Sequence, residues 1–386
     1  MKDTSRIQVI GSSPPRADAW AKVAGEARFL ADLPARDAWV GGTVRAPIPH
    51  GRLRAVRRDP RFDWSRVALL TAEDLPGPNT VAMIRDDMPI LADGMTRFLG
   101  EPVALVAAPD RETLAQALAA VRLDIVELSP VLAIEAALSR PLLAEAAIRQ
   151  GDAAKALETA DRIIEGTYRT GHQEHLYLEP NGILATPRPE GGVEVCGSLQ
   201  CPYYVHRALV TGLRLAPEQV VIRQTATGGA FGGKEDYPSI LALHAALLAL
   251  QAGRPVAMIL DRTEDMQITP KRHPALIRHR TGVMRDGRLV AAEIDVVLDG
   301  GAYTTLSPVV LSRSILHAAG PYRLPHALIR GRAVATHTPP NGAFRGFGAP
   351  QSQFACERQM DRIARELGLS PLAVRRRNLL RDGDEL

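Results

Sequence analysis

Cysteine, aromatic residues and lysine are all scarce in this 386-residue chain. The three cysteines, Cys196, Cys201 and Cys356, form no CxxC pair, which excludes a structural zinc site or an iron–sulfur cluster built from this chain alone. Aromatics are 4% of the residues and offer few platforms for stacking bases. Only five of the 47 basic residues are lysine, and the arginines are dispersed except at 375–377, so the net charge of +4 does not mark a nucleic-acid interface. No apolar run approaches the roughly 18–20 residues that cross a bilayer. The first twenty residues lack the continuous apolar stretch of a secretion signal. Cytoplasmic residence is expected, with neither nucleic acid nor membrane as a partner. Internal repeats and low-complexity tracts are absent.

What is present is the composition of an ordinary globular protein, 46% hydrophobic and 23% charged, long enough for two or three domains. Residues 1–15 read as an irregular lead-in. Residues 16–128 alternate strand-like runs at 38–45, 67–71 and 102–107 with a helix at 110–120, which Asp110 can cap, followed by a strand at 121–126. A proline-punctuated linker with short helices is expected at 129–160. From 161 to 386 strands are expected at 162–168, 182–187, 193–198, 220–224, 256–261, 278–285 and 289–299. Helices are expected at 203–212, 238–251, 351–367 and 371–380, the last opening with Ser370-Pro371. The fold class is α+β.

The most informative segment is TATGGAFGGKEDYPS, 225–239, with four glycines between a strand-like and a helix-like run. Such a backbone turns sharply and approaches a bulky ligand closely, and N–H groups ahead of a helix favour an anionic or oxo group. Gly228, Gly233 and Lys234 nearly spell a phosphate-binding loop. That loop needs a hydroxyl next to hold magnesium, and Glu235 stands there instead, where it would repel phosphates. A second concentration is PPNGAFRGFGAPQ, 339–351, where Arg345 projects from glycine-rich flanks; it is read either as an oxyanion fork or as a surface turn. Gln200 follows a strand and reads on its own as a turn residue. Arg313 interrupts the apolar VVLSRSILHAAG and either reaches solvent or faces a polar pocket. His172 and His175 in GHQEHLYLEP complete no HExxH pattern; a strand would place them on opposite faces, and they are read as structural.

Together KVAGEARFLAD, FLGEPVALVAA, GHQEHLYLEPNGILA, GSLQ, TGGAFGGKE, LDRTEDMQITPKRHP and GAFRGFGAPQ resemble, in order, the molybdenum-binding large subunit of the xanthine dehydrogenase/aldehyde oxidase family. The resemblance covers about 15–385. It implies a hammerhead-type α/β domain followed by the first of two molybdopterin-binding domains. It also implies a pterin dithiolene holding molybdenum, as the cytosine dinucleotide form in bacteria. Residue by residue, Gln200 would donate to the oxo ligand. Gly229, Phe231 and Gly232 would line the cofactor, with the Phe231 backbone at the metal's ligand sphere. Arg345 would lie in the cofactor shell. None of these side chains would ligate molybdenum directly. Glu235 would hydrogen-bond the substrate, Arg313 would stabilise its negative charge, and Phe347 would stack on a flat ring.

Hydroxylation of an electron-poor heterocycle builds anionic charge on the ring, which a fixed arginine stabilises while a carboxylic acid relays a proton or orients the ring. Glu235 and Arg313 together therefore favour a purine-like or other N-heterocycle over an aldehyde, and no cysteine stands at 344–347 for the copper site of carbon monoxide dehydrogenases. No GVGE-like motif of the second molybdopterin domain is found. The expectation is a split enzyme whose partners supply that second domain, a [2Fe-2S] subunit and a FAD subunit. Aldehyde oxidation, or an inactive truncated scaffold, are the alternatives.

Overall fold

The computed structural model describes residues 10–33 and 37–384, so the first nine residues of the expected lead-in and the last two residues lie outside the described residues. Its strands are β1 (Trp39–Arg45), β2 (Gly51–Arg58), β3 (Ala68–Leu70), β4 (Pro102–Ala108), β5 (Val121–Glu127), β6 (Leu142–Gln150), β7 (Arg162–Thr170), β8 (Gly182–Pro187), β9 (Val193–Gly197), β10 (Val220–Gln224), β11 (Val256–Ile259), β12 (Ala275–Val283), β13 (Leu289–Asp299) and β14 (His326–Val334). They form a seven-stranded sheet in the order β10-β9-β8-β11-β1-β4-β3, a five-stranded sheet in the order β6-β14-β13-β12-β7, and the pair β2-β5. Helices pack against both large sheets, giving the α+β class expected.

The seven-stranded sheet joins early and late parts of the chain, because β1 pairs antiparallel with β4 and parallel with β11. Every residue of β4 is buried, as its unbroken apolar run PVALVAA requires of a strand covered on both faces. Leu105 and Ala107 enter the main core, while Ala104 and Val106 meet Ala117 of the helix Arg111–Ala119. The main core is filled by the helix Tyr237–Ala252, which is apolar all round and buried over thirteen residues. Asp236 caps it by accepting from the Tyr237 N–H at 2.9 Å, and Pro238 fixes its first turn. Truncating Leu243 or Leu248 there to alanine would cost about 2–5 kcal/mol.

In the five-stranded sheet Ile277, Ile294, Val296 and Leu298 face Val310, Leu311 and Ile315 of the helix Ser307–Leu316 and Ala355 of the helix Ala349–Leu367. Three strands of the molecule, β2, β6 and β14, have no counterpart in the sequence reading. Residues 142–150, within the expected linker, are β6, paired antiparallel with β14 at the sheet edge. Its alanine-rich LLAEAAIRQ has no apolar alternation, and pairing overrides that composition. His172 and His175 lie beyond the end of β7 in irregular chain, which corrects the strand argument about their faces.

Candidate functional site

The glycine loop is anchored from beneath. Glu179 accepts from the Gly228 N–H at 2.7 Å, the Ser198 hydroxyl at 2.7 Å and Lys234 Nζ at 3.1 Å. Burial opposes charge on Glu179, but the Gly228, Ser198 and Lys234 donors outweigh it and hold the carboxyl below the ordinary glutamate range. Lys234 is fully buried; it also donates to Ser198 at 2.9 Å and lies 4.9 Å from the Tyr177 ring centroid. The lysine that suggested a phosphate loop is thus turned inward, away from any ligand. Sequence reasoning missed this pair. Its only signal was a lysine inside a glycine loop, in a chain with five lysines in all.

Gln200 follows β9 and precedes the helix Pro202–Leu213. Its N–H donates to the Lys234 carbonyl at 2.7 Å. Its side-chain Oε1 accepts from the Gly232 N–H at 3.0 Å and the Lys234 N–H at 3.3 Å. With the oxygen held by two donors, the amide NH2 is the outward end, fit to donate to an acceptor above the loop. The second loop docks on the first: the Arg345 N–H donates to the Phe231 carbonyl at 2.9 Å. Gly232 has φ of 105°, and a Cβ there would fall 2.7 Å from the Ala343 carbonyl oxygen, so only glycine permits this contact. Gln200, Phe231, Gly232 and Arg345 are therefore brought together by direct bonds, and Gly229 lies between Tyr177 and the Phe231 ring.

Arg313 sits on the helix Ser307–Leu316, whose Val310, Leu311 and Ile315 face the core while Val309, Leu316 and Arg313 itself are exposed. The guanidinium thus lies open on the surface of this chain. Gly348, with φ of 91°, brings the second loop against this helix; a Cβ would lie 2.2 Å from the Val310 carbonyl oxygen. Phe347, next to it, is half-buried and packs against the same core. No carboxylate pairs with Arg313 or Arg345 among the described residues. Glu235 is half-buried, and burial alone raises its pKa. No bond links Glu235 to Arg313.

Five non-glycine residues with positive φ occur among the described residues: Leu176, Arg214, Phe231, Thr305 and Phe347. Arg214 ends a helix. Phe231 and Phe347 are candidate site residues, Leu176 neighbours the Tyr177 that packs on Gly229, and the Thr305 hydroxyl donates to the Asn341 carbonyl at 2.7 Å on the second loop. Strain of this kind gathers where a site over-determines its backbone. A rigid double loop with outward donors and unpaired arginines can hold an anionic or oxo-bearing group.

Two sequence profiles match the chain: the a/b hammerhead domain of aldehyde oxidase and xanthine dehydrogenase over residues 24–129, and the molybdopterin cofactor-binding domain over residues 139–379. The chain is 34% identical to the nicotinate dehydrogenase large molybdopterin subunit of Eubacterium barkeri, over 98% of this chain and 91% of that subunit. It is also 34% identical to a probable xanthine dehydrogenase subunit of Bacillus subtilis, over 96% of this chain and 51% of that one. Among solved structures, the aldehyde oxidoreductase of Desulfovibrio gigas superposes with a TM-score of 0.89 at 28% identity, over 97% of this chain and 44% of that one. Quinoline 2-oxidoreductase of Pseudomonas putida 86 gives 0.86 at 27% identity, over 97% and 50%. The chain thus spans about half the length of all but the first of these relatives. It belongs to the aldehyde oxidase and xanthine dehydrogenase family, as a molybdopterin-binding member.

Proposed function

We propose that this chain is the molybdenum-cofactor-binding subunit of a hydroxylase that inserts water-derived oxygen into a purine-like or other N-heterocycle. The observation that carries the reading is Glu235, a half-buried acid without a partner, on the loop that Gln200 and Arg345 brace. The names of two relatives, which act on nicotinate and quinoline, fit an N-heterocyclic substrate. The residues suit the cofactor: the fixed outward amide of Gln200 and the unpaired guanidinium of Arg345 are donors for oxo and phosphate oxygens, and the loops close only because glycine stands at 232. When bound, the molybdenum–pterin group, in its cytosine dinucleotide form, supplies the electron-accepting chemistry of the reaction. Glu235 orients the ring and holds or passes its proton, and Phe347 stacks on its face. Arg313 stabilises the anionic charge that grows on the ring.

The rest of the site comes from a partner polypeptide carrying a second molybdopterin-binding domain, and electrons leave through [2Fe-2S] and FAD partners. Large apolar side chains stand open around the glycine loop: Leu176 is 61% exposed, Leu178 92% and Phe231 50%. Such a patch marks an interaction surface. Molybdenum analysis of the chain alone and of the chain purified with its native partners, followed by a heterocycle screen, tests the reading. The expected result is stoichiometric molybdenum and heterocycle turnover in the complex only. Stoichiometric molybdenum on the lone chain refutes the shared site. The structural similarity to aldehyde oxidoreductase supports a second reading, aldehyde oxidation, which turnover of aldehydes without heterocycles would establish.

A further inference from the structure

Arg272 is 9% exposed, and no carboxylate pairs with it among the described residues. Burying an unpaired guanidinium is costly, and an apolar residue would fill the space at less cost, so stability alone does not account for it. Its side-chain bonds run instead to neutral oxygens, one on the segment after β7 and one on the second loop itself. Nε donates to Gln173 Oε1 at 2.6 Å, and Nη2 donates to the Arg345 carbonyl at 3.1 Å. The guanidinium lies over the Phe344 ring, 3.9 Å from its centroid. Phe344 also stacks on His175, with centroids 4.2 Å apart and planes at 23°. The His175 Nε2 lies 2.8 Å from the Ala343 carbonyl. Ala343, Phe344 and Arg345 are thus gripped in succession, directly beneath the bond from the Arg345 N–H to the Phe231 carbonyl.

We infer that Arg272 is a positioning residue which, stacked with Phe344 and His175, clamps the second loop and so sets where Arg345 and the Phe231 carbonyl point. The inference rests on the function proposed above for what those two residues face. The planar guanidinium is essential to it, since a lysine ammonium neither stacks flat nor spans Gln173 and Arg345 with one rigid fork. The motifs that supply the clamp, GHQEH and PKRHP, lie about 100 residues apart in the chain.

Hydrogen exchange of the full metal-free chain tests this, read at the Arg345 amide and the segment 341–348. Arg272→Lys and Phe344→Leu should each speed exchange there by about 10-fold or more, while the β12–β13 ladder keeps its wild-type protection. Phe344→Tyr keeps the ring and should exchange as wild type. The double variant Arg272→Lys/Phe344→Leu should exchange no faster than the faster single, because both break one unit. Wild-type exchange in Arg272→Lys and Phe344→Leu, or a rise spread evenly over the chain, overturns the clamp. If Arg272→Lys unfolds, the Phe344→Leu and Phe344→Tyr pair decides by the same criterion. Because no metal is present, the outcome is independent of the molybdenum assignment. A clamp that holds in a complex without molybdenum would leave this inference standing and sink the proposed function.

Discussion

Lys234 and Glu235 are neighbours in the chain, yet Lys234 is buried, bonded to Glu179 and Ser198 and stacked near Tyr177, whereas Glu235 is half-buried with nothing to pair with. The same contrast runs through the whole double loop. Beneath the double loop Lys234 pairs with Glu179 and Arg272 lies against the Phe344 ring, so both hold the backbone, whereas Glu235 and Arg345, with Arg313 on the neighbouring helix, form no ion pair among the described residues. The loops also hold the strained residues Phe231, which is exposed, and Phe347, which packs against the core. Burial against a partner or a ring separates the groups that build the loops from those proposed to act on a ligand.

The comparison breaks most severely at Lys234. Lys234→Met leaves Glu179 partly buried with its cation gone and should cost about 3–5 kcal/mol. Denaturant unfolding measures this, and a loss under about 1 kcal/mol would show that the inner pair does not hold the loop. Glu235→Ala should leave stability within about 0.5 kcal/mol and molybdenum in the complex unchanged, yet lower heterocycle turnover by about 10²-fold. A destabilised Glu235→Ala protein would place that residue with the inner group.

The smallest expected effect concerns Asp236, which is buried, has no partner at Oδ2, and is pushed up by burial to about 7 from 3.8. The folded state holds this proton more tightly than the unfolded chain does. The associated stability is complete below about pH 4 and is lost as pH rises to about 7. Asp236→Asn, which still caps the helix, escapes that loss. Its Tm should match wild type near pH 4 and exceed it by about 2–4 °C at pH 8. A difference that does not change with pH would mean that Asp236 is already charged in the fold.

Much of the fold was legible because its elements obey local rules. Strands β8, β10 and β13 fall at the expected residues, and Asp110 caps its helix by accepting from the Thr113 N–H at 2.8 Å. Strands β6 and β14 were not legible, since they exist through pairing with each other and with β13 across long stretches of sequence. The glycines at 228, 229, 232 and 233 marked a loop that approaches a ligand, while Arg345 on its own read equally as a surface turn. The family resemblance, rather than any spacing, supplied the roles expected of Gln200 and Arg313, although its apolar context had already marked Arg313. Glu179, Lys234 and Arg272 stayed hidden because their roles depend on which way a side chain turns, inward to a pair or beneath a ring. No local pattern encodes that direction.

Arg313 offers the most direct test of the claim that the outer charges serve heterocycle chemistry. In the molybdenum-loaded complex, Arg313→Met should lower kcat for a purine-type substrate by about 3–4 kcal/mol, with a smaller change in KM, because the lost interaction grows in the transition state. Aliphatic aldehydes, if turned over, should change by less than about 3-fold. Equal losses for both substrate classes would contradict the account and make aldehyde oxidation the better reading.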